Sequence, residues 1–150
     1  MGGKRGEWRK PGEYCNTELR REQRLLGRGA QGELRAFYNV CRHRAGPPAE
    51  GCGSRKLFRC GYHGWTYGLD GALISAPEFE GQSGFDAGEF TLAPVRAEEW
   101  SNLIFVNLDP DAEPLMGTLD SLSQQAERFG ISSMKLFELR NYGMKTNRKT

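Results

Sequence analysis

The sequence predicts one domain made mainly of β-strands and long loops. A chain of 150 residues with 37% hydrophobic residues is large enough to bury one core. Its 20 glycines and 7 prolines provide many turns, and its apolar segments are mostly short. The sequence contains no run of about 18 apolar residues, and residues 1–10 lead into no apolar segment. We therefore expect no membrane span, no secretory signal and a cytoplasmic location.

The N-terminal half is expected to deliver two cysteines at the ends of strands. Residues 33–40 form a strand whose apolar side chains share one face, and this strand runs directly into Cys41. Residues 44–56 contain many turn-forming residues without periodicity and predict a loop. Residues 57–59 form a short strand before Cys60. The shared face of the first strand consists of Leu34, Ala36, Tyr38 and Val40.

The C-terminal half is expected to contain a hairpin, two longer strands, one helix and a last strand. The second longer strand is nearly all apolar, as in a strand that is covered on both faces. The helix begins with Thr118 as its N-cap and ends before Gly130, and one of its faces is apolar. The expected elements are a hairpin of residues 65–67 and 72–74, a loop at 77–88 anchored by Phe79 and Phe85, strands at 90–98 and 103–108, a helix at 118–129 and a strand at 134–146.

Two cysteine and histidine pairs are the strongest chemical signal. Cys41 and His43 form a C-x-H motif, Cys60 and His63 form a C-x-x-H motif, and these are the only two histidines. Four such ligands suit either one tetrahedral zinc ion or a [2Fe–2S] cluster with cysteines on one iron and histidines on the other. Zinc pairs usually join like with like, so the mixed pairs favour the Rieske type of cluster.

The residues around these motifs resemble the Rieske domain of ring-hydroxylating and choline-monooxygenase-like oxygenase α subunits. The resemblance runs from residue 11 to the end of the chain. It implies an all-β fold, a Rieske antiparallel β-sandwich with a two-loop cluster-binding subdomain and one short C-terminal helix. It also implies two strands between residues 13 and 26, where residues 18–24 alone favour a helix. The similar segments are residues 37–46, 60–67, 68–71, 76–79 and 105–110.

The resemblance also implies how the chain is divided. Residues 1–10 would be a disordered leader, residues 11–133 the Rieske domain, and residues 134–150 the start of an oxygenase catalytic domain. In the family, that domain holds a mononuclear Fe(II) with two histidines and one carboxylate. Both histidines of this chain are committed to the cluster, so the chain lacks the catalytic iron site, and whether it acts as an enzyme stays open.

Six further residues are expected to shape the cluster's surroundings. Glycines let backbone N–H groups approach sulfur, Trp65 shields the cluster, and Tyr67 donates a hydrogen bond to a cysteine sulfur. Relatives usually have proline where Gly61 stands, and they usually have tryptophan where Arg148 stands. A small number of hydrogen bonds to the cluster would place its potential toward the low end of the Rieske range, near about −150 mV. The six residues are Arg44, Gly46, Gly61, Gly64, Trp65 and Tyr67.

One-electron transfer is therefore the expected function. The donor would be a ferredoxin or a flavoprotein reductase, and the acceptor would be a catalytic domain or a neighbouring α subunit, since full-length relatives are commonly homotrimers. A free-standing Rieske ferredoxin is the first alternative, and a zinc-binding interaction module is the second. No membrane partner is expected, and no nucleic-acid partner is expected because no recognised motif accompanies the basic residues.

Charge is unevenly distributed along the chain. Residues 1–60 contain 14 Lys and Arg against 6 acidic residues, whereas residues 61–150 contain 7 against 13. The basic half could dock an acidic redox partner, or it could be ordinary solvated surface. Cys15 and Cys52 are expected to be free thiols because a cytoplasm keeps thiols reduced. Glu78 and Glu80 are expected to be surface carboxylates.

Overall fold

The structure, a computed structural model, describes residues 9–19, 21–79, 81–135 and 137–138. Every strand pairing between its named strands is antiparallel. The described residues also include two short 3₁₀ helices, at Ala87–Phe90 and Ile131–Ser133. The strands and the helix are β1 (Glu13–Leu19), β2 (Glu22–Arg28), β3 (Leu34–Tyr38), β4 (Cys52–Ser54), β5 (Phe58–Arg59), β6 (Thr66–Tyr67), β7 (Leu73–Ser75), β8 (Arg96–Trp100), β9 (Leu103–Asn107) and α1 (Leu115–Arg128).

These strands form three sheets, one with the order β3-β2-β1-β4, one with the order β5-β6-β7, and the pair β8-β9. The expected all-β antiparallel fold with one C-terminal helix is confirmed. The two strands expected between residues 13 and 26 are also confirmed as β1 and β2. Burial outweighs helix propensity here, because Leu25 and Leu26 are both buried and belong to different core clusters. Consecutive side chains of a strand point to opposite faces, so both faces of β2 are covered.

The main core lies between the four-stranded sheet and the three-stranded sheet. Tyr14 and Leu25 from the first sheet share one cluster of buried side chains with Phe58, Tyr67 and Leu73 from the second. The same cluster includes Cys41 and Cys60, whose strands thus end inside the core. A smaller cluster of Leu26, Ala36 and Val95 lies on the opposite face of β2 and β3.

The prediction for the strand at 33–40 was only partly right. Ala36 and Phe37 are both buried, and they belong to different core clusters, so both faces of β3 are covered. Val40 is 40% exposed, because the strand ends at Tyr38 and the alternation ends with it. Cross-strand packing also buries Arg24, whose guanidinium lies 4.0 Å from the centre of the Tyr38 ring.

Two predictions for the segment between the cysteine motifs were wrong. Residues 44–56 are not entirely a loop, because β4 pairs with β1 and extends its sheet. Cys15 and Cys52 are not free thiols, because they are joined by a disulfide. They face each other across β1 and β4, and the Asn16 N–H bonds to the Gly51 carbonyl, which makes them a non-hydrogen-bonded pair. Side chains approach most closely at such pairs.

The C-terminal part also differs in detail from the prediction. β8 begins at Arg96 rather than at residue 90, and β9 is not covered on both faces, since Leu103 is 48% exposed. The helix begins at Leu115 after Pro114 rather than at Thr118, and only Ala126 of its apolar face is buried. Its neighbours on that face, Leu122 and Phe129, remain exposed.

Some predicted segments lie wholly or partly outside the described residues. Of the strand expected at 134–146, only residues 134, 135, 137 and 138 are described, and they are not in a strand. Residues 1–8 of the expected leader and Glu80 also lie outside the described part. Within that part, no helix combines the length and the apolar character needed to cross a bilayer.

Candidate metal centre

Two short loops bring the four predicted ligands together. In the first ligand loop, residues 41–46, the Cys41 N–H donates to the Gly46 carbonyl, and the Ala45 N–H donates to the Cys41 carbonyl. In the second ligand loop, residues 60–65, the Cys60 N–H donates to the Trp65 carbonyl. Each loop therefore closes on the backbone of its own cysteine, which fixes the direction in which the cysteine side chain leaves the strand.

The two cysteines are buried neighbours. Cys41 is 4% exposed and Cys60 is 3% exposed, and neither is in a disulfide. Burial raises the pKa of the Cys60 thiol, and its hydrogen bond with the Cys41 thiol raises this pKa further. The backbone N–H groups of Tyr62 and His63 act in the opposite direction, because they donate to the Cys60 sulfur. These donors would stabilise a thiolate once a metal displaces the proton.

The two histidines face each other, with ring centroids 4.6 Å apart. His43 is half-buried, and its Nδ1 atom is buried with no hydrogen-bond partner among the described residues. His63 is exposed at the tip of the second ligand loop. Burial lowers the pKa of His43, and the neighbouring His63 lowers it further. Both effects favour neutral imidazole at His43, the form that binds a metal.

Tyr67 connects the first ligand loop to the sheet below it. Its hydroxyl lies 3.1 Å from the Cys41 sulfur, and it accepts a hydrogen bond from the Arg42 N–H at 3.0 Å. Burial raises the pKa of Tyr67 well above its ordinary value of 10.0, and the hydrogen bond to Cys41 raises it further. The hydroxyl thus remains protonated and can donate to sulfur, which is the contact expected from the sequence.

Asn39 holds the base of the first ligand loop, a role that the sequence reasoning missed. It is 2% exposed, and its side-chain amide bonds to both backbone groups of Ala49, at 2.7 and 3.2 Å. The two ends of the segment from 39 to 49 are thereby fastened together. A polar residue within the predicted strand at 33–40, two positions before Cys41, was the only sequence signal for this clamp.

The remaining predicted residues have unequal surroundings. A Cβ atom on Gly46 would lie 3.0 Å from the Cys60 sulfur, so this position has no room for a side chain. Gly64 has a φ of +76°, and a Cβ there would lie 3.2 Å from the Arg59 guanidinium. At Gly61 a Cβ would meet no atom of a described residue within 4 Å. Arg44 is exposed and near enough to His43 to lower its pKa.

Trp65 is buried and stacks on His43, with ring centroids 5.0 Å apart and an interplanar angle of 10°. It therefore covers one face of the His43 ring. Asp70 accepts a hydrogen bond from the Ala72 N–H in the hairpin turn, and Glu78 is exposed. Both agree with the structural roles expected from the sequence.

The surface around the loops is basic. Arg42, Arg44 and Arg59 are exposed, and none of them makes an ion pair with a residue that the structure describes. An open recess of about 480 Å³ beside the second ligand loop is lined by Arg59, Tyr62, His63 and Pro77, among others. The exposed histidine thus lies in a shallow depression that carries positive charge.

The four donors are arranged as two like pairs, thiol with thiol and imidazole with imidazole. A tetrahedral zinc site takes four protein ligands at one ion, whereas each iron of a Rieske cluster takes only two. The paired thiols, the paired imidazoles and the unpartnered His43 Nδ1 atom agree with the two-metal arrangement.

Comparison with known sequences gives consistent matches. A family profile described as the Rieske [2Fe-2S] domain matches residues 4–90. The chain is 43% identical to the choline monooxygenase of Beta vulgaris chloroplasts over 108 residues, which are 71% of this chain and 24% of that protein. It is 40% identical to the carnitine monooxygenase oxygenase subunit of Escherichia coli (strain K12) over 111 residues, which are 73% of this chain and 30% of that protein. The chain therefore spans less than a third of the length of either relative.

Comparison with solved structures agrees with the sequence matches. A quaternary ammonium Rieske monooxygenase in complex with an inhibitor superposes with a TM-score of 0.82 at 30% identity, over 90% of this chain and 38% of that chain. Naphthalene 1,2-dioxygenase from Rhodococcus sp., bound to indole, superposes with a TM-score of 0.75 at 29% identity, over 85% of this chain and 30% of that chain.

Proposed function

Since the chain belongs to the Rieske [2Fe–2S] domain family, we propose that it carries single electrons through a cluster held by its two ligand loops. Cys41 and Cys60 would ligate one iron, and His43 and His63 would ligate the other. The observation that carries this assignment is the buried Nδ1 atom of His43. It has no hydrogen-bond partner in the described structure, and it belongs to the ring that faces His63. A buried nitrogen of this kind is satisfied when it binds a metal.

The protein's own groups would set the ease of reduction. A bound Rieske cluster supplies a one-electron couple whose reduced form is more negative by one charge. Donors to the cysteine sulfurs stabilise that additional negative charge, and three such donors surround the pair. They are the Tyr67 hydroxyl at Cys41 and the backbone N–H groups of Tyr62 and His63 at Cys60. Trp65 and its aromatic neighbours act in the opposite direction, because they keep water away from His43.

The acceptor would be a mononuclear iron in a catalytic domain of a non-haem iron oxygenase, in the same protein or in a neighbouring α subunit. This proposal rests on the matches to oxygenase subunits. Residues 11–133 would then form the electron-transfer domain, and residues 134–150 would lead into the catalytic domain. Exposed apolar side chains on β9, on α1 and at the C-cap of α1, such as Leu103, Met116 and Phe129, support this division because another domain could cover them. A homotrimer of the full-length protein is part of the same proposal.

The donor would be a ferredoxin or a flavoprotein reductase with an acidic docking face. Arg42, Arg44 and Arg59 support this choice, because they surround the exposed His63 without an ion pair to any described residue, and opposite charge steers association and fixes orientation. The location in a cytoplasm stays a prediction. The Cys15–Cys52 disulfide would be unusual in a reducing compartment. The intact mass of the protein isolated from its source shows whether the disulfide is present, and its presence would argue against a cytoplasmic location.

The direct test of the proposed function is anaerobic purification of the 150-residue chain, followed by iron and acid-labile sulfide analysis. We expect about two irons and two sulfides per chain and, after reduction by dithionite, a rhombic EPR signal with the low average g value of a cluster that has two nitrogen ligands. A colourless protein that binds one zinc ion would contradict the proposal and favour a zinc-binding interaction module.

A further inference from the structure

The His43 ring is enclosed by three other rings. Trp65 lies parallel to it at 5.0 Å, Phe79 contacts it edge-on at 5.6 Å, and His63 lies at 4.6 Å with an interplanar angle of 65°. An imidazole binds a metal through a lone pair that lies in the plane of the ring. The orientation of the ring therefore decides whether its Nδ1 atom can serve as a ligand.

Trp65 is itself fixed in place. It is 2% exposed, and the rings of Phe79, Phe85 and Phe90 contact it edge-on at centroid distances of 5.5 to 5.9 Å. A rotation of the His43 ring would have to displace an indole that is packed on several sides. Close packing of this kind resists such displacement, because interiors hold side chains in single rotamers.

Phe79 reaches this position through an unusual backbone conformation. Glu78, the residue before it, has a φ of +75° although it is not a glycine. Two hydrogen bonds support the turn, from the Phe79 N–H to the Ala76 carbonyl and from the Gln82 side chain to the Glu78 carbonyl. Non-glycine residues keep a left-handed conformation only where the surrounding structure enforces it. Here the enforced turn places Phe79 against both Trp65 and His43.

Among the described residues, His63 has no comparable enclosure. It is exposed, and the ring that lies over it belongs to Tyr62, at 3.9 Å, which is itself 66% exposed. The two histidines of one site therefore provide a matched comparison. His43 stacks on the buried Trp65, whereas His63 lies against the exposed Tyr62.

We propose that Trp65 and Phe79 are positioning residues that hold the His43 imidazole in its metal-binding orientation. This inference rests on the proposed function, since it concerns one ligand of the same site. The stack orients His43 before any metal binds, whereas His63 is oriented by its ligand bond and by its partner surface. Loosening the enclosure should consequently affect one nitrogen ligand and leave the other unchanged.

The test compares Phe79→Leu with Tyr62→Leu in the intact 150-residue chain, with Trp65→Phe as a conservative variant. Phe79→Leu should fold with unchanged far-ultraviolet circular dichroism. It should release iron to a chelator about tenfold faster than wild type and show a broadened EPR signal with one altered nitrogen coupling. Tyr62→Leu removes only an exposed ring and keeps the backbone N–H that donates to Cys60, so it should match wild type in both measurements. Trp65→Phe should stay close to wild type because it retains an aromatic face.

Several results would overturn the inference. One is a folded Phe79→Leu protein whose iron release and nitrogen couplings equal those of wild type. Another is a Tyr62→Leu protein with the same defect, since the effect would then not depend on the enclosure. If Phe79→Leu fails to fold while Phe79→Tyr folds with altered couplings, the inference is also wrong, because an aromatic ring at this position should preserve them. Wild-type protein without iron and sulfide would overturn the proposed function instead, and this inference with it.

Discussion

In both ligand loops the amide of the cysteine bonds to a carbonyl five residues later, and the carbonyl of the cysteine accepts from an amide four residues later. That later residue has a positive φ in each loop, +58° at Ala45 and +76° at Gly64. The backbones of the two loops are thus built in the same way. Their surroundings differ, because the first ligand loop is held by Asn39 and Tyr67, whereas the second presents exposed Tyr62 and His63 to solvent.

This difference suggests a division of labour on one scaffold. The first ligand loop is fastened to the sheets, and its histidine is enclosed by Trp65 and Phe79, so changes near it should alter stability and cluster properties. The second ligand loop offers its histidine in a basic recess, so changes on its surface should alter contact with partners. Each of the following predictions asks whether the two loops differ in this way.

Replacing a cysteine ligand should have the largest effect. Cys41→Ser should lose most of the cluster, because a serine hydroxyl is a much poorer ligand for iron than a thiolate. Iron and sulfide analysis measures the loss. His43→Cys provides the contrast, since it should keep a cluster and lower its potential toward that of an all-cysteine centre. A Cys41→Ser protein with a full complement of iron would remove Cys41 from the ligand set.

Removing the clamp at the base of the first ligand loop should have the next largest effect. Asn39→Ala leaves the N–H and C=O groups of Ala49 buried without partners, so the free energy of unfolding should fall by about 2–4 kcal/mol. Urea denaturation measures this change. Asn16→Ala is the control, because the Asn16 amide bonds to Gln23 at an exposed site, and we expect a change below about 0.5 kcal/mol. Equal changes in the two variants would show that Asn39 is no clamp.

Exchanging the left-handed residues compares the two backbones directly. Gly64→Ala should lower the free energy of unfolding by about 1–2 kcal/mol, because it adds a side chain at positive φ and displaces Arg59. Ala45→Gly should change it by less than about 0.5 kcal/mol, because relief of strain and greater freedom of the unfolded chain offset each other. Chemical denaturation of both variants gives the comparison. If Ala45→Gly lowered the free energy of unfolding more than Gly64→Ala, the two loop backbones would not be equivalent at these positions.

Removing the hydroxyl donor to Cys41 should shift the potential. Tyr67→Phe loses a hydrogen bond that strengthens on reduction, and about 1 kcal/mol of such strengthening corresponds to about 40 mV for one electron. The potential should therefore become more negative by roughly that amount in a redox titration. Tyr62→Phe is the matched control at the second ligand loop and should leave the potential unchanged. A similar shift in both variants would remove the distinction between the loops.

Neutralising one charge beside the second ligand loop should have the smallest effect on the protein itself. Arg59→Gln should slow reduction by an acidic ferredoxin about two- to fivefold at low salt, with no change in unfolding free energy or in potential. Stopped-flow kinetics at several ionic strengths measures this. Arg128→Gln on α1 is the control and should leave the rate unchanged. If the two substitutions slow reduction equally, the effect comes from the net charge of the protein and not from a docking site beside the second ligand loop.

The ligand set could be proposed from sequence because its signal is local. Each cysteine and its histidine lie within four residues, so the spacing alone restricts the metal chemistry. Period-two alternation and turn residues likewise located β3 and the hairpin of β6 and β7, whereas β1 and β2 were expected from the resemblance. Asp70 and the hairpin it stabilises follow from the same short-range rules.

What the sequence could not reveal depends on contacts between distant residues. The pairing of β1 with β4 brings Cys15 and Cys52 together across 37 residues, and no local sequence pattern predicts this pairing. The clamp between Asn39 and Ala49 and the placement of Phe79 against His43 arise in the same way, from loops that fold back onto the sheets. The boundaries of β8 and α1 were misplaced because their apolar residues remain partly exposed, so periodicity alone did not mark where packing begins.

The central claim is that both histidines ligate the same cluster in unequal surroundings. Pulsed EPR of the dithionite-reduced chain labelled with ¹⁵N-histidine tests it most directly, because it counts the nitrogens coupled to the electron spin. We predict two distinct histidine couplings, of which His43→Cys removes one and His63→Cys removes the other. Fewer than two couplings in the wild type, or the loss of the same coupling in both variants, would contradict the account.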